Sequence, residues 1–247
     1  VIMALPKIET PTYTMVLPSR EGEIKFRPFT VKEEKILMVA SETGEQKDMI
    51  MAISDVIESC TFGAVDCKDL PIFDIEYMFL QIRAKSVGEV AKFRVLCPDD
   101  RETYAEVEVD LTKVDVQVDE KHSNEVVLDK ERKLGVVFKY PTLKNYDVSK
   151  SLEKFKTEDV FDLIYSCVDH VYEGEKIYPG ADSTADEKKE FFDSISQKNL
   201  VDIRKFFDSM PKLKQEVEVE NPKTKVKSIV TLKGLQDFFT YASHTTT

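Results

Sequence analysis

The spacing of hydrophobic and polar positions changes several times along the chain, and each change marks a predicted element. Residues 12–17 and 23–29 alternate apolar and polar side chains, bounded by Pro11, Pro18 and Pro28, with a turn at 19–22. That pattern predicts a β-hairpin. At Thr30 the pattern turns helical: "TVKE" has the spacing of a capping box, and Gly44 stands where the helix should stop. Over 45–60, Met49, Ile53, Val56, Ile57 and Cys60 recur at three- and four-residue steps, as do Ile75, Met78, Phe79 and Ile82 over 73–85. Both runs predict amphipathic helices.

Past residue 90 the period returns to two. Residues 90–96 and 103–111 alternate around "CPDDRE", which predicts a second hairpin, and 114–139 stays β-like, with 126–128 and 136–138 flanking a charged turn. The second half is helical again, with a short helix predicted at 147–155. A longer one is predicted at 157–171, capped by Thr157 with Glu158 and Asp159 in its first turn. "EGEKIYPGADST" reads as a loop, and Thr184 with Glu187 makes another capping box. Helices over 184–195 and 197–210 should bury Phe191, Phe192, Ile195, Leu200, Ile203, Phe206 and Phe207. Strands at 214–220 and 226–232 flank "NPKT", and "LKGLQDFFTYA" closes as an apolar turn or helix.

The predicted fold class is therefore α+β, a helical core with protruding β-hairpins. Three consecutive segments make one integrated fold: an extended arm and hairpin (1–29), helices plus hairpins (30–141), and a helical half with a C-terminal hairpin (142–247). Helix, break and hairpin occur at 73–111 and again at about 198–232, either as a duplicated unit or as two instances of a common motif. The apolar stripes place Ile53, Ile57, Phe79, Ile82, Leu163, Ile203 and Phe206 in the core.

Composition narrows the function. With 42% hydrophobic and 33% charged residues in 247, a packed globular protein is expected. Only 8 glycines argue against glycine-rich phosphate loops, and a formal charge of -11 gives no general attraction to nucleic acid. The one candidate basic patch, Lys223, Lys225 and Lys227, reads as paired with Glu216, Glu218 and Glu220 across its hairpin. A two-residue turn would set Glu220 against Lys225, but Pro222 cannot adopt the positive φ of that turn, so a longer loop would shift the register. Cys60, Cys67, Cys97 and Cys167 form no CxxC and read as buried or free thiols of a reducing compartment. No apolar run approaches the roughly 20 residues of a membrane helix, and no signal-peptide core opens the chain, so folding in a cytoplasm is expected.

Catalytic patterns are missing. His122, His170 and His244 lie in no nucleophile-elbow context, and no HExxH, Walker A or GxGxxG occurs. Cys167 and His170, on one predicted helix, read as a buried cysteine beside a helix C-terminal histidine. No catalytic residue, cofactor or metal is predicted, and neither a nucleic acid nor a membrane partner. Partner contacts are predicted instead. The arm, with Leu5, Pro6, Ile8 and Tyr13, is too apolar to stay free and too short to fold alone. The hairpin tips, Pro98, Asp99, Asp100 and Arg101, and Asn221, Pro222 and Lys223, are polar and offer little to a core. From Asp99 to Glu120 nine acids stand against Arg101 and Lys113, so the first hairpin lacks the charge balance of the second. Its alternating Glu106, Glu108 and Asp110 form either a solvated edge that resists aggregation or an acidic ridge that docks a basic neighbour.

An ordered set of segments carries a resemblance. "MALPKIETPTYTMVLPS", "IKFRPFTVKEEKILMVA", "FLQIRAKSVGE", "FFDSISQKNLVDIRKFFDSMPKL" and "VTLKGLQDFF" together resemble the baseplate hub subunit family of T-even-like contractile-tailed bacteriophages. In that family the hairpin tips often carry cysteine pairs, as in a zinc-ribbon-like knuckle. Here they read "CPDD", with Cys97 alone, and "NPKT", with no cysteine, which argues against a structural metal. The resemblance implies a non-enzymatic virion protein of the tail baseplate, made and assembled in the host cytoplasm. Its implied partners are other hub or wedge proteins, or copies of itself in a symmetric ring. The alternative is an assembly chaperone of the hub that is absent from the finished virion.

Overall fold

The computed structural model describes residues 8–145 and 157–240. In chain order the first elements are β1 (Tyr13–Val16), β2 (Glu23–Phe26), α1 (Val31–Thr43), α2 (Gln46–Cys60), α3 (Ile72–Val87), β3 (Val90–Leu96), β4 (Tyr104–Asp110) and β5 (Asp115–Gln117). Then come β6 (Glu125–Asp129), β7 (Leu134–Phe138), α4 (Thr157–Ser166), β8 (Val168–Glu173) and β9 (Lys176–Pro179). The chain closes with α5 (Ala185–Asp193), α6 (Gln197–Ser209), β10 (Lys212–Glu220), β11 (Lys227–Lys233) and α7 (Gly234–Thr240). The fold is α+β. It divides into two compact units, and neither is continuous in sequence. One draws on Val1–Cys67, Phe73–Val116 and Leu213–Thr247, the other on Lys68–Ile72 and Gln117–Lys212.

In the first unit, β1 and β2 form the expected hairpin, with Met15 opposite Ile24. Its alternation buries Met15, Leu17 and Phe26 and turns Val16 outward. The predicted capping box at α1 is closed by Glu33, whose Oε2 accepts from Thr30 N at 2.8 Å and Thr30 Oγ1 at 2.7 Å. Gly44 ends that helix at φ 68°, the left-handed backbone a glycine adopts without strain. Along α2 the stripe Ile53, Val56, Ile57 and Cys60 is buried, and along α3 so are Ile75, Met78, Phe79 and Ile82. Two hairpins, β3–β4 and β10–β11, bury one face each in a common cluster with Leu80 and Ala84 of α3. The strand β5 pairs with β10 as the third member of its sheet.

The second unit is a four-stranded sheet in the order β6-β7-β8-β9 with antiparallel neighbours. Its core joins Val126, Val136, Phe138 and Val168 of the strands with Ile164, Phe192, Ile203 and Phe206 of α4, α5 and α6. The N-caps of α5 and α6 are side-chain caps: Thr184 Oγ1 accepts from Glu187 N at 3.2 Å, and Ser196 Oγ from Asn199 N at 3.2 Å.

Two sequence expectations change in this unit. The helix expected over 157–171 stops at Ser166, and Val168–Glu173 becomes a strand paired with β7. "VDHVYE" is rich in β-branched and aromatic residues, and β7 offers it an open edge, so sheet pairing wins over helical propagation. The loop expected after it folds back as β9 through a turn with Gly174 at φ 60°. Leu163 is only half-buried, and its neighbour Ile164 enters the core instead, one step around the helix. The helix predicted at 147–155 lies outside the described residues.

Candidate interaction surfaces

The two hairpin tips are built by simple alternation. Along β3, Ala91, Phe93 and Val95 point inward, and Cys97 continues the series just past the strand. Along β10, Leu213, Val217 and Val219 do the same, and Asn221 continues it. A period of two therefore delivers Cys97 and Asn221 to the tip end of one shared core. In each hairpin a proline comes next, Pro98 or Pro222. Four residues after the inward residue, an N–H turns back to its carbonyl: Arg101 N donates to Cys97 O at 3.0 Å, Lys225 N to Asn221 O at 2.9 Å. Both donors have left-handed backbone, φ 56° at Arg101 and 64° at Lys225. The sequence echo between "CPDD" and "NPKT" is thus one turn built twice.

The tips meet. Asn221 Nδ2 donates to both carboxylate oxygens of Asp99, at 2.9 and 3.1 Å, and Thr224 Oγ1 donates to Asp99 Oδ2 at 2.5 Å. Asn221 Oδ1 accepts from Lys223 N at 2.8 Å and Thr224 N at 3.2 Å, which leaves this 1% exposed side chain fully satisfied. Hydrogen bonds from Asn221 and Thr224 hold the Asp99 carboxyl below the usual carboxylate range. Asp100 is held lower still by Thr103, whose hydroxyl and N–H donate at 2.6 and 3.0 Å, aided by Asn221. Burial, with Asp99 and Asp100 nearby, pushes the Cys97 thiol up. Pro98, Asp99, Arg101, Pro222 and Lys223 remain exposed at the outer side of the tips.

The first hairpin is better balanced than its acid count implied. The register sets Lys92 opposite Glu108 and Arg94 opposite Glu106. Lys92 Nζ lies 3.4 Å from Glu108, Lys113 Nζ lies 3.1 Å from Asp110, and Arg94 stacks over the Tyr104 ring. Two bases opposite the ridge, Lys92 and Arg94, sit on β3, upstream of the acid-rich stretch. In the second hairpin the four-residue loop shifts the register as Pro222 requires, so that Glu220 faces Lys227, while Lys227 Nζ reaches Glu218 at 3.0 Å.

Of the arm, Leu5 and Pro6 lie outside the described residues, Ile8 is exposed, and Tyr13 is half-buried beside Phe26. A surface that sequence reasoning missed lies on α1, which fully buries only Glu33 and Ala40. Val31, Met38 and Val39 stay exposed, as does Met51 on α2. The signal was present in "ILMV": four consecutive residues turn through most of a helical circle and cannot share one buried face.

The remaining polar clusters make their contacts within their own unit. His122 stacks on Tyr140, its Nδ1 lying 2.8 Å from Ser209 Oγ and its Nε2 3.1 Å from Tyr140 OH. Since the Ser209 hydroxyl donates to Lys205 O, the Nδ1–H donates to Ser209 and Nε2 accepts, a neutral ring whose pKa burial lowers. His170 sits on β8 beside Asp169, not on a helix with Cys167, which corrects that pairing. All four cysteines are free and buried, and burial pushes the Cys67 thiol up to about 12. Among the described residues, no group of three or more His, Cys, Asp or Glu is arranged to hold a metal ion, and no helix is long and apolar enough to cross a membrane.

No curated protein and no solved structure matches the chain. A family model does, over residues 10–240, which takes in both hairpin tips, the half-buried Tyr13 and nearly every described element. A match over most of the chain settles the assignment: this chain belongs to the T4 bacteriophage base plate protein family.

Proposed function

We propose that the chain is a structural, non-enzymatic component of the hub or wedge of a contractile-tail baseplate, acting through protein–protein contacts during tail assembly. The observation that carries this reading, beside the family, is the outer face of α1 and α2. Val31, Met38, Val39 and Met51 are each more than half exposed, with Val31 and Met38 seven residues apart on one helical face. Exposed apolar side chains grouped on one helical face, as on α1, suit burial against a neighbour better than free solvation. The arm at Ile8 and Tyr13 and the outer tips at Pro98, Asp99, Arg101, Pro222 and Lys223 are the polar and extended complement to that face. Asp100 and Asn221 support the tips from within, and Glu106, Glu108 and Asp110, partly answered by lysines, contribute at the rim.

The test is quantitative mass spectrometry of purified particles beside assembly intermediates. A fixed copy number in intact tails is the expected result. Presence in intermediates and absence from tails overturns the virion role in favour of an assembly chaperone.

A further inference from the structure

Two facing hairpin tips built on one turn, each with an inward first residue, a proline second and a left-handed fifth, have the layout in which paired C-x2-C knuckles clamp a zinc ion. The four ligand positions, first and fourth in each turn, are here Cys97, Asp100, Asn221 and Thr224. We propose that these tips form a two-knuckle site in which side-chain hydrogen bonds, centred on Asp99 and Asn221, do the joining that a metal does in a zinc ribbon.

The donor set decides against the metal. Zinc takes thiolate, imidazole or carboxylate, and only Cys97 among the four is a thiol. Asp100 spends Oδ1 on the N–H groups of Glu102 and Thr103 and Oδ2 on the Thr103 hydroxyl. Asn221 Oδ1 receives the N–H groups two and three residues on, the pair that a ligand atom at this place would receive, and its Nδ2 is a donor that faces Asp99. Thr224 Oγ1 donates to Asp99 and accepts from Val226 N at 3.3 Å. Of the four positions only Cys97 keeps an atom outside the clasp; the side-chain oxygens and nitrogen of Asp100, Asn221 and Thr224 are already used in it. What remains of the site is its backbone. Because backbone hydrogen bonds and alternation set the turns, restoring the side chains should restore the chemistry.

The experiment changes Asp100→Cys, Asn221→Cys and Thr224→Cys together, beside the native Cys97, and titrates Co2+ as a probe. The expected result is about one cobalt per chain with the absorption of tetrahedral thiolate, while the unaltered chain shows none. Returning any one cysteine to its original residue should weaken cobalt binding about tenfold or more. A four-cysteine chain that binds no cobalt, whether added to folded protein or during refolding, overturns the shared geometry. A second measurement needs no engineered thiols: urea midpoints of the unaltered chain and of Asn221→Ala, each with and without a chelator. The expected result is a lower midpoint for Asn221→Ala and no chelator effect on either. A chelator-sensitive unaltered chain, or an Asn221→Ala midpoint equal to it, overturns the hydrogen-bonded clasp.

Discussion

Arg27 donates from Nη2 to Glu33 Oε1 across 2.8 Å, and the carboxylate that receives it is 1% exposed. Ser59 Oγ adds a 3.0 Å hydrogen bond to the same oxygen, and Thr30 occupies the other. One carboxylate thus ties the end of the N-terminal hairpin, the start of α1 and the last turn of α2. Burial alone would raise its pKa, but the bonds from Arg27, Thr30 and Ser59 outweigh that and hold it well below the ordinary value.

Removing this carboxylate should be costly. Glu33→Ala leaves the Arg27 guanidinium, itself only partly exposed, without its partner and strips α1 of its cap. Breaking a buried pair from one side costs roughly 3–5 kcal/mol, and the partial exposure of Arg27 places the expected loss near the lower end. Urea denaturation of the variant should show it, and a loss under about 0.5 kcal/mol would contradict the arrangement.

Stability should peak in mildly acidic solution. Glu76 on α3 accepts from Leu235 N at 3.2 Å at the start of α7, and burial pushes its pKa up to about 7. A carboxyl raised above its ordinary 4.5 contributes stability that is complete below that value and lost as pH rises through about 7. Glu33, shifted the other way, contributes stability present above its ordinary value and lost as pH falls. The two together predict a maximum near their shared ordinary value, about pH 4.5. Glu76→Gln keeps the acceptor and removes the charge, so its urea midpoint should exceed that of the unaltered chain at pH 8 and approach it at about pH 4. Equal midpoints at pH 8 would refute the assignment.

In the second unit the aromatic cluster is the weak point. Phe206 is 2% exposed, and its ring lies 5.1 Å from Phe138, 5.4 Å from His122 and 4.9 Å from Phe207, centre to centre. Phe206→Ala should cost roughly 3–5 kcal/mol, a large share of a typical domain's stability. An unchanged melting temperature would place the ring elsewhere.

The start of α7 should tolerate no side chain at Gly234. Its φ is +61°, and an added Cβ would lie 2.7 Å from Glu76 Oε1. Gly234→Ala therefore combines left-handed strain with a clash against a half-buried carboxylate, for an expected loss of about 1–3 kcal/mol. Thermal unfolding of that variant is the check.

Much of this protein is local and was legible without coordinates. The hairpin at β1–β2, the capping boxes at Thr30 and Thr184, the glycine stop at Gly44 and the stripes of α2, α3 and α6 all follow from spacings of two to four residues. The family segments were equally readable in one dimension. Tertiary structure decided whatever depends on which distant segment lies alongside. Val168–Glu173 is a strand because β7 presents an edge to it, not because its own pattern excludes a helix. Glu106 and Glu108 of the ridge stand opposite Arg94 and Lys92, and Lys92 reaches Glu108, because the hairpin register sets them there. Asn221 and Asp99, 122 residues apart, are joined because two hairpins bury their inner faces in one core and bring their tips together. Periodicity shows which face of an element turns inward, but it carries no information about what that face will meet.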